Sequence, residues 1–298
     1  MPIRSRAHEG KADLRLMQGL QQELWRLEGA RTQTHVGDLA WMSTHAPRES
    51  EWTRRLWLDG DRCVAWAWVD RGTSLEYQLH PEHRGGALHD EVLDWFEMEV
   101  PSQTPLSVWW MEGDDVSLAL HERRGYERPE DGGAYLYLVQ ELDEPVAVPE
   151  LPDGFRLRTV RGEDDLSERV LVHQAVWAPS RVTEETYRDV TAAWPYRADL
   201  DCVLEAPEGN FAAYVLCWYD DANRVGEFEP VGTHQNYRRR GFGAAVCRYA
   251  LHRLQEEGAT KAIVYASGRA DQRQASALYE SVGFRRHTHV VELRRTRT

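Results

Sequence analysis

Residues Asn236 to Leu254 read NYRRRGFGAAVCRYALHRL: three arginines, two glycines one residue apart, then apolar residues at helical spacing. The spacing predicts a helix from Gly241 to about Glu257, entered directly from GEFEPVG, which reads as a strand. At a strand-to-helix turn the first backbone N–H groups lack intrahelical partners and point at one spot, where the helix dipole adds positive potential. Arg238, Arg239 and Arg240 supply charge there, and Gly241 and Gly243 remove Cβ atoms that would hold a ligand off the backbone. The turn therefore reads as a diphosphate site. It lacks the lysine and serine or threonine of a Walker loop, and no acidic residue stands where a dinucleotide-binding unit needs one.

Working outward, FRLRTV alternates like a strand, Asp165 to Trp177 and Glu184 to Trp194 have helical spacing, and Pro195 stops the second helix. DCVLEA, FAAYVLCWYD and GEFEPVG read as three strands, the last two joined by the turn-rich DANR. After the opening helix come the strand KAIVYA, a helix from roughly Gln272 to Val282 and a final strand from Phe284 to Leu293. Residues 140 to 154, QELDEPVAVPELPDG, combine prolines and acidic residues without periodicity and mark a linker.

Before the linker the order is similar. A helix lies within Asp13 to Leu27, followed by strands around RRLWL, CVAWAWV and LEYQL, a helix from Leu88 to Phe96, the strand LSVWW, a helix ending near Arg124 and the strand AYLYLV. ALHERRGYER (Ala119 to Arg128) matches ALYESVGFRR (Ala277 to Arg286), and HPEHR (His80 to Arg84) sits where HQNYR (His234 to Arg238) does. The chain is a duplication, with domains expected at 1–145 and 152–298.

The arrangement Arg, two residues, Gly, one residue, Gly between strand and helix, followed by ALYESVGF, resembles the acyl-CoA site of the GNAT superfamily of N-acetyltransferases. The resemblance covers Phe155 to Leu293 well and Asp13 to Val139 in outline. It implies an α/β (α+β) fold of two tandem GNAT-like domains, each a mixed, mostly antiparallel central sheet flanked by helices. It assigns Arg238 to Ala244, with Phe242 among them, to the pyrophosphate of acetyl-CoA, the co-substrate. It lays the pantetheine arm along EFEPVGT, Val231 to Thr233, with the Val231 N–H on the thioester carbonyl. Pro230 cannot donate to a ladder and Gly232 suits a bulge, so this strand should part from its neighbour there, leaving an oxyanion-type donor.

The attacking amine is mostly ammonium at neutral pH; for a lysine-like amine the neutral form costs roughly 4 to 5 kcal/mol at pH 7. A base lessens that cost. Strand periodicity puts Glu227 and Glu229 on one face with Phe228 opposite. The resemblance places Glu227 where some members keep their base, while Glu229 is closer to the oxyanion donor; pairing with arginine across the sheet is the structural alternative for either. His234 is a further candidate, nearer the turn. The resemblance makes Tyr279 the acid that protonates the leaving thiolate and Gln272 the counterpart of an asparagine facing pantetheine. His287 and His289 alternate on a strand without a cysteine or carboxylate partner, so no metal is expected. Attack is direct, with no covalent enzyme intermediate, and Cys247 reads as packing.

The counterpart turn in the first half, HRGGALHDE, has Ala87 and His89 at the glycine positions, keeps only Arg84, and His121 replaces the tyrosine. That half is expected to be non-catalytic. Nine of the twelve tryptophans lie in it. Adjacent Trp109 and Trp110 must face opposite sides of their strand, so one of them is free to serve the interface or a substrate pocket.

With 298 residues, 42% hydrophobic, the chain can bury two ordinary cores. A formal net charge of -13 argues against nucleic-acid partners. Four scattered cysteines signal neither disulfides nor zinc, and no apolar run approaches a membrane span, so a soluble cytoplasmic protein, monomer or homodimer, is expected. The charge and the acidic CWYDDANRVGEFE favour a small cationic amine, aminoglycoside-like or polyamine-like. Two alternatives are a mycothiol-synthase-like acetyltransferase, a group that also has two such domains, and a non-catalytic acyl-CoA-binding or protein-interaction module.

Overall fold

The computed structural model describes residues 2–45, 52–70, 72–269 and 273–297. The first half runs β1 (Arg4–Ala7), α1 (Gly10–Glu28), α2 (Val36–Thr44), β2 (Trp52–Asp59), β3 (Arg62–Asp70), β4 (Ser74–Leu79), α3 (Ala87–Glu99), β5 (Leu106–Met111), α4 (Asp115–Arg123) and β6 (Ala134–Glu141). The second runs β7 (Arg156–Thr159), α5 (Leu166–Val176), α6 (Glu184–Thr191), β8 (Asp201–Glu205), β9 (Phe211–Asp220), β10 (Val225–Thr233), α7 (Phe242–Glu256), β11 (Lys261–Ser267), α8 (Gln274–Ser281) and β12 (Arg285–Arg295). No described helix is long and apolar enough to cross a membrane.

Among the described residues the strands form one sheet, in the order β1-β2-β3-β4-β5-β12-β6-β11-β10-β9-β8-β7. The order is two-fold symmetric about the β12–β6 pair: β4 maps onto β10, β5 onto β11, and β6 onto β12. Most pairings are antiparallel, while β4–β5 and β10–β11 are parallel. The expectation of one sheet per half needs correcting at the join. The last strand of each half lies in the other's territory: β6 pairs with β11 from Lys261↔Glu141 to Ser267↔Tyr135, and β12 pairs with β5 from Val290↔Met111 to Arg295↔Leu106.

The duplication is visible in local geometry. His80 and His234 each cap a short 3-10 turn, their Nδ1 atoms accepting from Glu82 N and Asn236 N. Gly125 and Gly283 both take positive φ after the matching helices, and Tyr126 N and Phe284 N return to His121 O and Tyr279 O at 3.0 and 3.1 Å. Separate cores lie under each half, one around Trp57, Val92 and Phe96, the other around Phe228, Val246 and Leu251. The segment after β6 is held on α7, where the Gln255 side chain donates to Leu142 O and Glu144 O and accepts from Val146 N.

Helix α2 was not expected from the sequence. It is buried along Val36, Gly37, Leu39, Ala40 and Trp41, so it has no polar face to give a helical period. A Cβ on Gly37 would come within 2.3 Å of Trp218 and 2.7 Å of Glu227 Oε2, so glycine lets this helix of the first half close on β9 and β10 of the second.

Candidate active site

β10 pairs with parallel β11 only at Val225, Gly226 and Glu227; beyond, no described residue pairs with it on that side. On its other side the ladder to β9 slips between Phe228 and Val231. The expected parting of the strand is present, and Val231 lies within it. Gly232 has a different reason from the expected bulge: a Cβ there would meet the Tyr214 ring at 2.7 Å and Val176 at 2.9 Å.

Glu227 and Glu229 do share a face, with Phe228 in the opposite core, but their surroundings differ. Glu227 is 1% exposed and sits 3.2 Å from His35 Nδ1. The Gly37 N–H already points at that nitrogen, at 3.1 Å, so Nδ1 is the accepting atom and Glu227 meets it as an O–H donor. Burial pushes the Glu227 carboxyl up to about 8, the charge of Glu229 reinforcing this and the hydrogen bond with Asp38 opposing it. Asp38 is likewise raised well above the carboxylate range, by burial and by the neighbouring Glu227. Burial keeps His35 neutral, near 4.

Glu229, also pushed up to about 8 by burial and by Asp38, lines two cavities. One, of about 580 Å³ with its mouth, runs past Trp41, His173 and Trp177. The other, of about 710 Å³ with its mouth, is bounded by Asp38, Glu76, Trp109, Tyr135 and Tyr265. Trp109 therefore faces a cavity shared by both halves, while Trp110 packs on the first core and donates to Asp114 O.

Past β10 the chain turns at Gln235–Tyr237 and enters α7 through Gly241, whose φ of 79° is the left-handed conformation glycine tolerates. A Cβ there would meet nothing, so the surface is open to a ligand, whereas Gly243 answers a packing need, its Cβ position lying 2.9 Å from Thr233 Oγ1. Arg238, Arg239 and Arg240 make no ion pair among the described residues, and the turn they form is largely exposed. Arg238 Nε donates to Thr233 O, and Arg240 lies over Phe155 and Phe242. Ala244 is half-buried on the first turn. Three uncompensated cations at the N-terminus of a 15-residue helix fit a diphosphate.

Tyr279 is 6% exposed on α8, and burial raises its phenol well above the ordinary range, with Cys247 and Glu229 adding to the shift. It stays protonated at neutral pH, the form an acid requires. Cys247 is buried, its thiol pushed up to about 12. His234 serves its turn as a cap; His289, contrary to the expectation of no carboxylate partner, meets Glu112 of the first half at 3.1 Å, and His287 lies edge-on to Tyr137. Gln272 lies outside the described residues. Among the described residues no three His, Cys, Asp or Glu side chains are grouped to hold a metal.

The matching turn of the first half is filled from within. His89 Nδ1 takes the Gly85 N–H at 3.1 Å, and Arg84 is tied to Glu28 by two bonds of 2.7 and 2.6 Å. His89 and His121 both meet the Tyr77 hydroxyl.

Sequence reasoning missed Asp38, His35, Glu76, Tyr135 and Tyr265. One local signal existed: His35 accepts from the start of α2 while Asp38 accepts from His35 N, a capping box written in THVGD.

Residues 169–284 match the model of the acetyltransferase (GNAT) family. A mycothiol acetyltransferase of Streptomyces coelicolor is 27% identical over 272 residues, covering 87% of this chain and 86% of the relative. Among solved structures, a tandem GNAT protein from the clavulanic acid biosynthesis pathway superposes with a TM-score of 0.67 at 15% identity, covering 99% of this chain and 98% of the other. A GCN5-related N-acetyltransferase from Sphaerobacter thermophilus gives 0.65 at 19% identity, covering 99% and 96%. Residues 169–284 thus carry a GNAT acetyltransferase domain, and the two-fold strand order with its split β10 is the fold of the tandem GNAT structures.

Proposed function

We propose that the second half, 152–298, transfers an acetyl group from acetyl-CoA to the primary amine of a small molecule, and that the first half, 1–145, has lost its own acetyl-CoA site. The observation carrying this reading is the parting of β10 from β11 after Glu227, which leaves the Glu229 carboxylate at a cavity wall a short stretch of chain before three arginines that make no ion pair with a described residue. Bound acetyl-CoA supplies an electrophilic thioester carbonyl. In this reading Arg238, Arg239 and Arg240 with the N-terminus of α7 hold its diphosphate, and Val231 N–H steadies the carbonyl oxygen as charge develops. Glu229 takes the ammonium proton, directly or through water; Glu227, already bonded to Asp38 and His35, is a positioning residue behind it. The neutral amine attacks, the C–N bond forms and the C–S bond breaks as Tyr279 gives its proton to the thiolate sulfur, and the second proton that the nitrogen sheds on becoming an amide restores the phenol through water.

A second reading, that the acceptor is the one used by mycothiol acetyltransferases, is favoured by 27% identity across 87% of the chain. Amine-dependent release of CoA thiol tests both. Glu229→Gln should lower kcat by about 10²- to 10⁴-fold, the usual worth of a positioned base. Release unaffected by Glu229→Gln would sink the assignment.

A further inference from the structure

The larger cavity straddles the two-fold relation of the sheet. Glu76 on β4 and Glu229 on β10 come from strands that the relation exchanges, as do Trp109 on β5 and Tyr265 on β11. Tyr135 on β6 is the direct cross-strand partner of Val290 on β12, which also lines the space. The cavity thus has two similar ends, each with one glutamate and one aromatic ring, and Asp38 enters from α2.

Its charge is unbalanced. No described lysine or arginine lines it, and no described residue gives the carboxylate of Glu76 or Glu229 a hydrogen bond or ion pair. Behind Asp38, Glu227 is 1% exposed and keeps Oε1 without a conventional donor. Carboxylates withdrawn from water need cations or protons. Burial pushes Glu76 up to about 7, with Asp38 and Asp70 adding to the shift, as expected where the countercharge must come from outside. The rings of Trp109 and Tyr135, 5.0 Å apart, and of Tyr265, stacked on Tyr137 at 4.7 Å, are faces on which an ammonium can rest.

We infer that the acceptor carries two amino groups and spans this cavity, the reacting amine at Glu229 in the second half and the other, as ammonium, between Glu76 and Asp38 of the first. This rests on the acetyltransferase reading for the role of Glu229, but binding is separable from turnover. The first half then selects the acceptor for a reaction carried out by the second.

The test is calorimetric titration of the full chain, with CoA present, at pH 8. The probes are putrescine, spermidine and 2-deoxystreptamine, set against butylamine and cyclohexylamine, with wild type compared to Glu76→Gln. At least one diamine should bind tenfold or more tighter than its monoamine counterpart, and Glu76→Gln should erase that advantage. Equal binding of diamines and monoamines, no binding of any probe, or a diamine preference that survives Glu76→Gln would overturn the inference. Acetyl-CoA titrated into the same samples reports separately: diamine binding without acetyl-CoA binding would retain the two-ended site and remove the acetyltransferase reading.

Discussion

Glu227 and Glu229 differ by what faces them, although the sequence presents them as equals. Alternation places both on one side of β10, and nothing local says that Glu227 will meet Asp38 and His35 while Glu229 meets open space. Those partners come from some 190 residues earlier in the chain, beyond the reach of periodicity. Because Glu229 must be ionised to accept a proton and is pushed up to about 8 by burial and by Asp38, kcat should rise as pH passes through about 8 and level off above it. That limb should be absent from the residual activity of Glu229→Gln. Tyr279→Phe should reduce kcat by about 10² while leaving acetyl-CoA affinity unchanged, since the phenol is asked only for a proton. A change confined to KM would assign Tyr279 to packing against Phe284 instead.

At the scale of elements, the sequence was most legible where one periodic face meets one core. FAAYVLCWYD is β9 to the residue, and α7 spans Phe242–Glu256 against an expected Gly241 to about Glu257. It was least legible for α2, which is wrapped by both halves and so shows neither stripe nor alternation. That helix brings Asp38 of the first half to Glu227, and Gly37 sets how near it comes. Gly37→Ala should force it away from Trp218 and Glu227, costing about 1 to 3 kcal/mol as overpacked cores do, and should lower kcat with no change at the arginine turn. Thermal melting and acetyl-CoA binding measured on the one variant separate these effects; full activity and stability would mean that α2 yields freely.

For the whole molecule, the internal repeat revealed the duplication but not the exchange of last strands. ALHERRGYER and ALYESVGFRR identify equivalent helix ends, whereas the placement of β12 between β5 and β6 depends on pairings between residues roughly 145 to 190 positions apart. With β6 seated on β11 and β12 on β5, neither half completes its sheet alone. Unfolding of the full chain should therefore be one cooperative transition, and removal of β12 should destabilise the first half as well as the second. Two separate transitions in calorimetry would contradict this.

The proposed chemistry needs one anion site at the start of α7 and a blocked one at the start of α3. The most direct measurement is calorimetric titration of acetyl-CoA into wild type and Arg238→Glu/Arg239→Glu, neither position carrying an ion pair with a described residue whose loss would confuse the result. One site per chain is predicted, weakened at least a hundredfold in the double variant, since each charge-assisted bond to phosphate is worth about 1.5 to 3 kcal/mol. Two sites per chain, or one that survives the substitutions, would contradict it.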